Sequence, residues 1–127
     1  MSNVEARYLG ANRSGDWLDR IVVHGLGVPS AARVWVQAAA GHPVAGIWVV
    51  RDGAPDIFIA ADEVVGARHD RAAASRAYGP GGVLVITWQH DADVDIGLRI
   101  PDAARAEAVR AAVNALADVP STTGEVA

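Results

Sequence analysis

The sequence contains neither cysteine nor lysine. The absence of cysteine excludes disulfide bonds, thiolate metal sites and cysteine nucleophiles. All eleven basic residues are arginine, so no lysine is present to serve a P-loop. Long apolar runs are missing as well. The most apolar window, residues 38–50, is interrupted by His42 and Pro43 and is shorter than the ~20 residues that span a bilayer. We therefore expect a soluble chain with a cytoplasmic location.

The composition is that of one globular domain. The chain has 127 residues, of which 51% are hydrophobic and 20% charged, so it is able to bury one core. Its formal net charge of -4 offers no general attraction for nucleic acid or for an anionic membrane surface. We expect the domain to span residues 8–118, with residues 1–7 and 119–127 disordered.

Short runs rich in β-branched and aromatic residues predict strands. They are "ARVWVQ" (32–37), "GIWVV" (46–50), "DIFIA" (56–60), "GVLVITW" (82–88) and "DIGLRI" (95–100). Two of them alternate in polarity. Val34 and Val36 share one face of the first run, and Ile96, Leu98 and Ile100 share one face of the last. Alternation of this kind is typical of strands with one face on the core.

The connections between these runs indicate antiparallel pairing. Asp52 and Gly53 lie between two runs and favour a hairpin, and the polar stretch 89–95 predicts a second turn. Connections this short join antiparallel neighbours, whereas parallel strands need a longer crossover.

One helix is predicted over residues 102–117, after Pro101 and before Pro120. The side chains expected to face the sheet are Ala106, Val109, Val113 and Leu116. The order is therefore about six or seven strands followed by one helix. The predicted fold class is mainly β: a twisted antiparallel sheet or partly open barrel, with the helix covering one end.

No motif for catalysis or metal binding is present. The histidines lie in separate segments, as His24, His42, His69 and His90. None pairs with another at a metal-binding spacing, and no serine lies in a GxSxG elbow. Residues 91–95 ("DADVD") imitate the start of a calcium loop, but Ile96 stands where that loop needs glycine. We therefore expect no enzymatic activity, no metal and no cofactor.

The stretch "RHDRAAASRAYGPGG" (68–82) is the most basic part of the chain. Its glycines precede a predicted strand, whereas phosphate-binding glycine loops precede a helix, so it is not a nucleotide fingerprint. Two interpretations stay open. The stretch is either an ordinary solvated loop, or a flexible site in which Arg68, Arg71 and Arg76, with protonated His69, contact an anionic group or a partner.

Three longer segments share a family likeness: "YLGANRSGDWLDRIVVHGLG" (8–27), "RDGAPDIFIAADEVVGAR" (51–68) and "GGVLVITWQHDADVDIGLRIPD" (81–102). Together they resemble the PH-like (pleckstrin-homology-like) domain proteins of actinobacteria. The resemblance implies a half-open barrel of about seven strands capped by a C-terminal helix, in agreement with the predicted order of elements. It also implies a non-catalytic protein. Members are often named only in general terms, as transporters or membrane proteins.

The resemblance carries further expectations about location and partners. Members typically have a transmembrane helix before the domain, and their genes often lie among pyrimidine-synthesis genes. No such helix precedes the first segment, so we expect either the cytosolic domain of a membrane-associated protein or a soluble relative. Eukaryotic relatives bind phosphoinositides through a basic loop between the first two strands. Here residues 12–30 hold Arg13 and Arg20 against Asp16 and Asp19, so lipid binding is not expected.

Two functions compete at this point. The first is an interaction or scaffolding module that docks a protein partner, or a second copy, on a strand edge or beside the helix. The alternative is a small-ligand-binding barrel whose mouth is lined by loop 68–82 and by the tryptophans, Trp17, Trp35, Trp48 and Trp88. A filled interior with an apolar patch favours the first function, and a wide cavity favours the second.

Overall fold

A computed structural model describes most of the chain. The described residues are 3–15, 20–21, 26–37, 45–73, 76–77, 82–90 and 92–118. Their strands are β1 (Val4–Arg13), β2 (Arg20–Ile21), β3 (Ser30–Gln37), β4 (Gly46–Arg51), β5 (Ile57–Ala60), β6 (Val64–Asp70), β7 (Ala72–Ala73), β8 (Arg76–Ala77), β9 (Val83–His90) and β10 (Ala92–Arg99). The helix α1 is Ala103–Ala117, and a 3-10 turn, Ala61–Glu63, lies between β5 and β6.

Seven strands form one continuous antiparallel sheet in the order β5-β4-β3-β1-β10-β9-β6. β2 pairs with β1 beside this row, and β7 and β8 form a separate two-stranded ribbon. Because β5 and β6 do not pair with each other, the sheet stays open between them. The predicted fold class, a mainly β open barrel with a C-terminal helix, is confirmed.

The inward-facing side chains of the sheet form the core. Burial alternates along β3, so Val34 and Val36 face the core while Arg33 and Trp35 lie on the opposite face, here called the outer face. This confirms the polarity predicted for that run. Among the largest fully buried side chains are Tyr8, Ile47, Ile59, Ile86, Ile96 and Leu98. Each such side chain contributes about 1.5–3 kcal/mol to folding, so the filled interior is the main source of stability.

A buried arginine fills one corner of this interior. The Arg51 guanidinium lies 4.2 Å from the centre of the Tyr8 ring and donates to the carbonyl oxygens of Val28 and Pro55 at 2.6 and 3.2 Å. The Tyr8 hydroxyl donates to the Leu26 carbonyl at 2.6 Å. Arg51 and Tyr8 therefore connect the segment before β3 with the turn after β4, and their side chains fill the space between these two segments.

The ordered part of the sheet extends beyond the expected N-terminal boundary of the domain. β1 begins at Val4, so residues 4–7, expected to be disordered, belong to the sheet and pair with β3. Residues 119–127, also expected to be disordered, lie outside the described residues.

The predicted polar turn over residues 89–95 is wrong for most of its length. β9 continues to His90 and β10 begins at Ala92, with Asp93 opposite Gln89 in the register. Polar residues alternate with apolar ones from Asp91 to Asp95, a pattern that suits a strand and lets β10 begin close to the hairpin tip.

Helix α1 forms where it was predicted. Its N-cap residue is Asp102, whose Oδ1 accepts hydrogen bonds from the backbone amides of Ala104 and Arg105 at 3.0 and 3.1 Å. This satisfies two of the backbone donors that a helix start leaves unpaired. Three of the predicted inward residues, Ala106, Val109 and Val113, are buried, and Leu116 is half-buried against the same core.

The side chain of Asn114 attaches this helix to the open side of the sheet. Its Oδ1 accepts from the Ala67 amide at 2.9 Å, and its Nδ2 donates to the Ala67 carbonyl at 3.0 Å. Ala67 belongs to β6, the last strand of the row. The carboxamide thus supplies one donor and one acceptor to the edge strand, as a neighbouring strand would.

We expect Asn114→Ala to lower the free energy of unfolding by about 1–3 kcal/mol, because both backbone groups of Ala67 lose their partner. Urea unfolding at neutral pH measures this change. Alanine is the better helix former, so helix propensity alone would stabilise the variant. Unchanged or increased stability would therefore show that the two hydrogen bonds contribute nothing.

Candidate functional site

The arginine-rich stretch does not form one flexible loop. Arg68 lies within β6, Arg71 is an exposed residue at the bend after it, and Arg76 lies in β8. His69 also lies in β6, and its Nε2 is 3.3 Å from Oε1 of Glu107 on α1. The glycine-rich end, residues 78–81, lies outside the described residues. The expectation of one mobile connection therefore fails for Arg68 and His69, which belong to the sheet.

Arg68 is the centre of a polar network on the outer face. Its Nη2 is 3.0 Å from Oδ2 of Asp95, its Nε is 3.1 Å from Oδ2 of Asp70, and its Nη1 donates to the Thr87 hydroxyl at 3.2 Å. The Asp95 side chain is only 2% exposed, and it also accepts from the Thr87 hydroxyl and from the Gly15 amide. The network joins β6, β9 and β10 to the turn after β1.

The electrostatics of this network favour the charged form of Asp95. Burial raises the pKa of the Asp95 carboxyl, but the hydrogen bonds from Arg68, Thr87 and the Gly15 amide and the charge of Arg68 outweigh it. The net result is a pKa below the usual value. A carboxyl whose pKa is lowered by folding stabilises the protein above its unfolded pKa, and this stabilisation is lost as the pH falls through the folded value.

We expect Arg68→Ala to destabilise the protein by about 1–3 kcal/mol at pH 7, since it leaves the buried Asp95 carboxylate without its cation. Arg71→Ala, a matched change at an exposed position, should cost less than about 0.5 kcal/mol. Urea unfolding between pH 7 and pH 3 measures both variants. In the Arg68→Ala protein, stability should fall less steeply below about pH 5, because the carboxyl pKa is no longer held low.

Parallel pH profiles for Arg68→Ala and the unchanged protein would contradict this interpretation. So would equal losses of stability for Arg68→Ala and Arg71→Ala at pH 7.

Three aromatic side chains form a row on the outer face of the other half of the sheet. Trp35 on β3, Trp48 on β4 and Phe58 on β5 lie directly opposite one another in register. The ring centroids of Trp35 and Trp48 are 6.2 Å apart, and those of Trp48 and Phe58 are 4.8 Å apart. All three side chains are partly exposed, whereas Trp88 is buried in the core. We call Trp35, Trp48 and Phe58 the aromatic strip.

The strip ends at the outer edge of β5, the last strand at that end of the described sheet. The Ala61 amide donates to the Ala45 carbonyl at 3.0 Å, which fixes the alternation of hydrogen bonds between β4 and β5. By that alternation the backbone groups of Ile57 and Ile59 point to β4, and both groups of Phe58 and the amide of Ala60 point away from it; the Ala60 carbonyl accepts within the 3-10 turn. No strand among the described residues pairs with this second side. We call it the β5 edge.

Gly46 on β4 leaves space for the ring of Phe58 and for the backbone of β5. A Cβ at Gly46 would lie 2.4 Å from Cζ of Phe58 and 2.4 Å from the carbonyl oxygen of Ile59. Both distances are far below a van der Waals contact, so only glycine permits this approach of β5 and of the Phe58 ring.

Acidic side chains stand at both ends of the β5 edge. Asp56 precedes β5, and Asp62 and Glu63 follow it in the 3-10 turn; all three are exposed. One oxygen of Asp56 accepts from the Arg51 amide at 3.0 Å. Within the described part of the chain, none of these three carboxylates forms an ion pair with an arginine or histidine. The edge therefore lies in a negative environment.

Other kinds of site have less support in the structure. The described residues include no group of three or more histidine and carboxylate side chains placed to hold a metal ion. No helix in the described ranges is long and apolar enough to cross a membrane. Of the residues considered for lipid binding, Arg13 and Arg20 lie in β1 and β2, while Asp16 and Asp19 are outside the described ranges. Trp17, His24 and His42 are outside them too.

The fold defines the class of protein. An open seven-strand antiparallel sheet with one C-terminal helix is the pleckstrin-homology-like architecture, whose domains generally serve in non-catalytic interactions. The sequence matches the profile of the bacterial PH domain-like family over residues 1–114, and the chain belongs to that family. No curated protein and no solved structure matches the chain.

Proposed function

We propose that this domain is a non-catalytic interaction module that binds a protein partner at the aromatic strip and the β5 edge. One observation carries the proposal: a row of partly exposed aromatic rings ends beside a strand edge with outward-pointing backbone groups. Aromatic side chains are enriched among the residues that contribute most binding energy at protein interfaces. A strand edge adds main-chain hydrogen bonds to the same surface.

The strip is poorly explained as a feature of folding alone. Its rings lie on the face opposite the core, and on β3 the neighbouring Val34 and Val36 already supply the buried contacts. Aromatic pairs on a sheet surface stabilise it by about 0.2–1 kcal/mol each, and complete burial of the rings in an interface would contribute more. A protein partner that covered the strip would bury the remaining exposed area of these rings.

The alternative of a small ligand in the barrel has weaker support. The interior is filled by large buried side chains, and Arg51 with Tyr8 occupies one corner of it. Of the tryptophans expected to line a cavity, Trp88 is packed in the core, and Trp35 and Trp48 lie outside. An open depression of about 440 Å³ lies on the outer face, and its lining includes the charged residues Glu5, Arg33 and Asp52. Sites for small ligands are usually enclosed and mostly apolar, so this depression does not resemble one.

The arginines of residues 68–82 have a secondary role in the proposal, as contacts for a negatively charged part of the partner. Arg68 is engaged by two carboxylates, so the exposed Arg71 is the more available contact for an anionic part of a partner, and a contact by Arg76 stays a prediction from the sequence. Association with the cytosolic face of a membrane and a link to pyrimidine biosynthesis remain predictions from the family resemblance. The enzymes of that pathway are the first candidate partners to examine.

The proposal predicts that Phe58→Thr removes a partner that the unchanged domain retains. The tagged domain is used to capture proteins from its native host, and the bound proteins are quantified by mass spectrometry. Val65→Thr is the matched control, because Val65 is 55% exposed on β6 and also loses an apolar group. A partner retained by Val65→Thr and reduced at least about tenfold by Phe58→Thr supports the strip as the binding surface.

Equal capture by all three proteins, with both variants folded, would refute binding at the strip. Loss of the partner with Val65→Thr alone would move the binding surface to β6.

A further inference from the structure

We infer that the β5 edge receives a basic, extended segment of the partner as an added strand, with an apolar side chain placed beside Phe58. This inference rests on the proposed function and specifies its partner. It follows from the hydrogen-bond phase of β5, the end of the aromatic strip and the charges around the edge. Each of these sets a separate requirement on the segment.

The backbone requires an extended conformation. Phe58 and Ala60 alternate with Ile57 and Ile59. Both backbone groups of Phe58 and the N–H of Ala60 point away from β4, while the Ala60 carbonyl, at the N-cap of the 3-10 turn, accepts a hydrogen bond within that turn. An antiparallel neighbour could therefore exchange a pair of hydrogen bonds with Phe58 and accept one more from the Ala60 amide, two residues further along. A helix or a compact turn presents no matching row of donors and acceptors.

The aromatic strip requires an apolar side chain. Trp35, Trp48 and Phe58 are directly opposite neighbours on three successive strands. On a fourth strand, the residue opposite Phe58 would project from the same outer face, because directly opposite residues share a face. A β-branched or aromatic residue at that position would continue the row and cover the exposed side of the Phe58 ring.

The charges require a basic segment. Asp56 stands at one end of the edge and Asp62 and Glu63 at the other, so arginine or lysine at each end of the segment meets an opposite charge. The same arrangement disfavours a second copy of this chain. If Phe58 of one copy lay opposite Ala60 of another in an antiparallel pair, Asp56 would lie close to the Asp62 carboxylate of the second copy.

The other edge strand of the sheet, β6, cannot accept an added strand at its middle residue. The side chain of Asn114 already forms hydrogen bonds with the amide and the carbonyl of Ala67 there. Of the two edge strands, β5 is therefore the one whose outer backbone groups form no hydrogen bond with a described side chain in the way that Ala67 does with Asn114.

The test uses three capped synthetic peptides with the ¹⁵N-labelled domain. "RVTVTVR" is basic and extended, "EVTVTVE" is its acidic match, and "RVTPTVR" carries a proline that breaks strand pairing. We expect the basic peptide to shift the amide resonances of Phe58 and Ala60 most strongly. It should bind about tenfold more tightly than either other peptide at low salt, and the advantage over the acidic peptide should shrink as salt is added.

A charge-matched pair of variants tests the acidic ends. Asp62→Asn with Glu63→Gln should reduce the preference for the basic over the acidic peptide by about fivefold or more. Glu5→Gln with Glu107→Gln removes the same charge from exposed positions on β1 and α1, and should leave the preference unchanged.

Several results would overturn the inference. Shifts centred away from β5, equal binding of the proline peptide, or a preference for the acidic peptide would each do so. Self-association of the domain that Phe58→Thr abolishes would identify a second copy as the occupant instead. If Phe58→Thr still loses its host partner while no peptide binds β5, the proposed function stands and strand addition fails. The reverse result would leave strand addition supported and the strip's role in the host refuted.

Discussion

An open antiparallel sheet leaves the backbone groups of its edge strands without a neighbouring strand, and this constraint organises the domain. On β6 the constraint is met at Ala67, because the Asn114 carboxamide bonds to both backbone groups of that residue and holds α1 against the opening. On β5 no described residue plays this part. The contact of the helix with β6 and the proposed binding surface on β5 correspond to this difference between the two edges.

The outer face of the sheet is likewise divided into two unlike halves. Over β1, β9 and β10, the strand β7 covers a second small core of Leu9, Val83 and Val85, and the buried Asp95 is neutralised by Arg68 beside it. Over β3, β4 and β5, the face carries the partly exposed aromatic strip. The arginine-rich stretch therefore contributes to the half that β7 covers, and the other half carries the partly exposed apolar surface that a partner would bury further.

Sequence reasoning predicted the features that depend on local periodicity. Alternation placed Val34 and Val36 on the core face of β3, and the spacing along α1 identified Val109 and Val113 as inward residues. It did not predict the burial of Asp95, because that depends on Arg68 arriving from a strand far away in the sequence. The strip was missed for the same reason. Each aromatic residue is visible in its own run, but only the register of three strands places them in one row.

Backbone hydrogen exchange in the free domain tests the difference between the two edges most directly. If β5 is an open edge, the amides of Phe58 and Ala60 exchange nearly as fast as in an unfolded chain, while those of Ile57 and Ile59 are protected by their bonds to β4. The Ala67 amide, bonded to Asn114, should be protected even though it lies on an edge strand. Strong protection of Phe58 and Ala60 in the free domain would show that the chain already covers β5, and rapid exchange at Ala67 would show that the helix does not close β6.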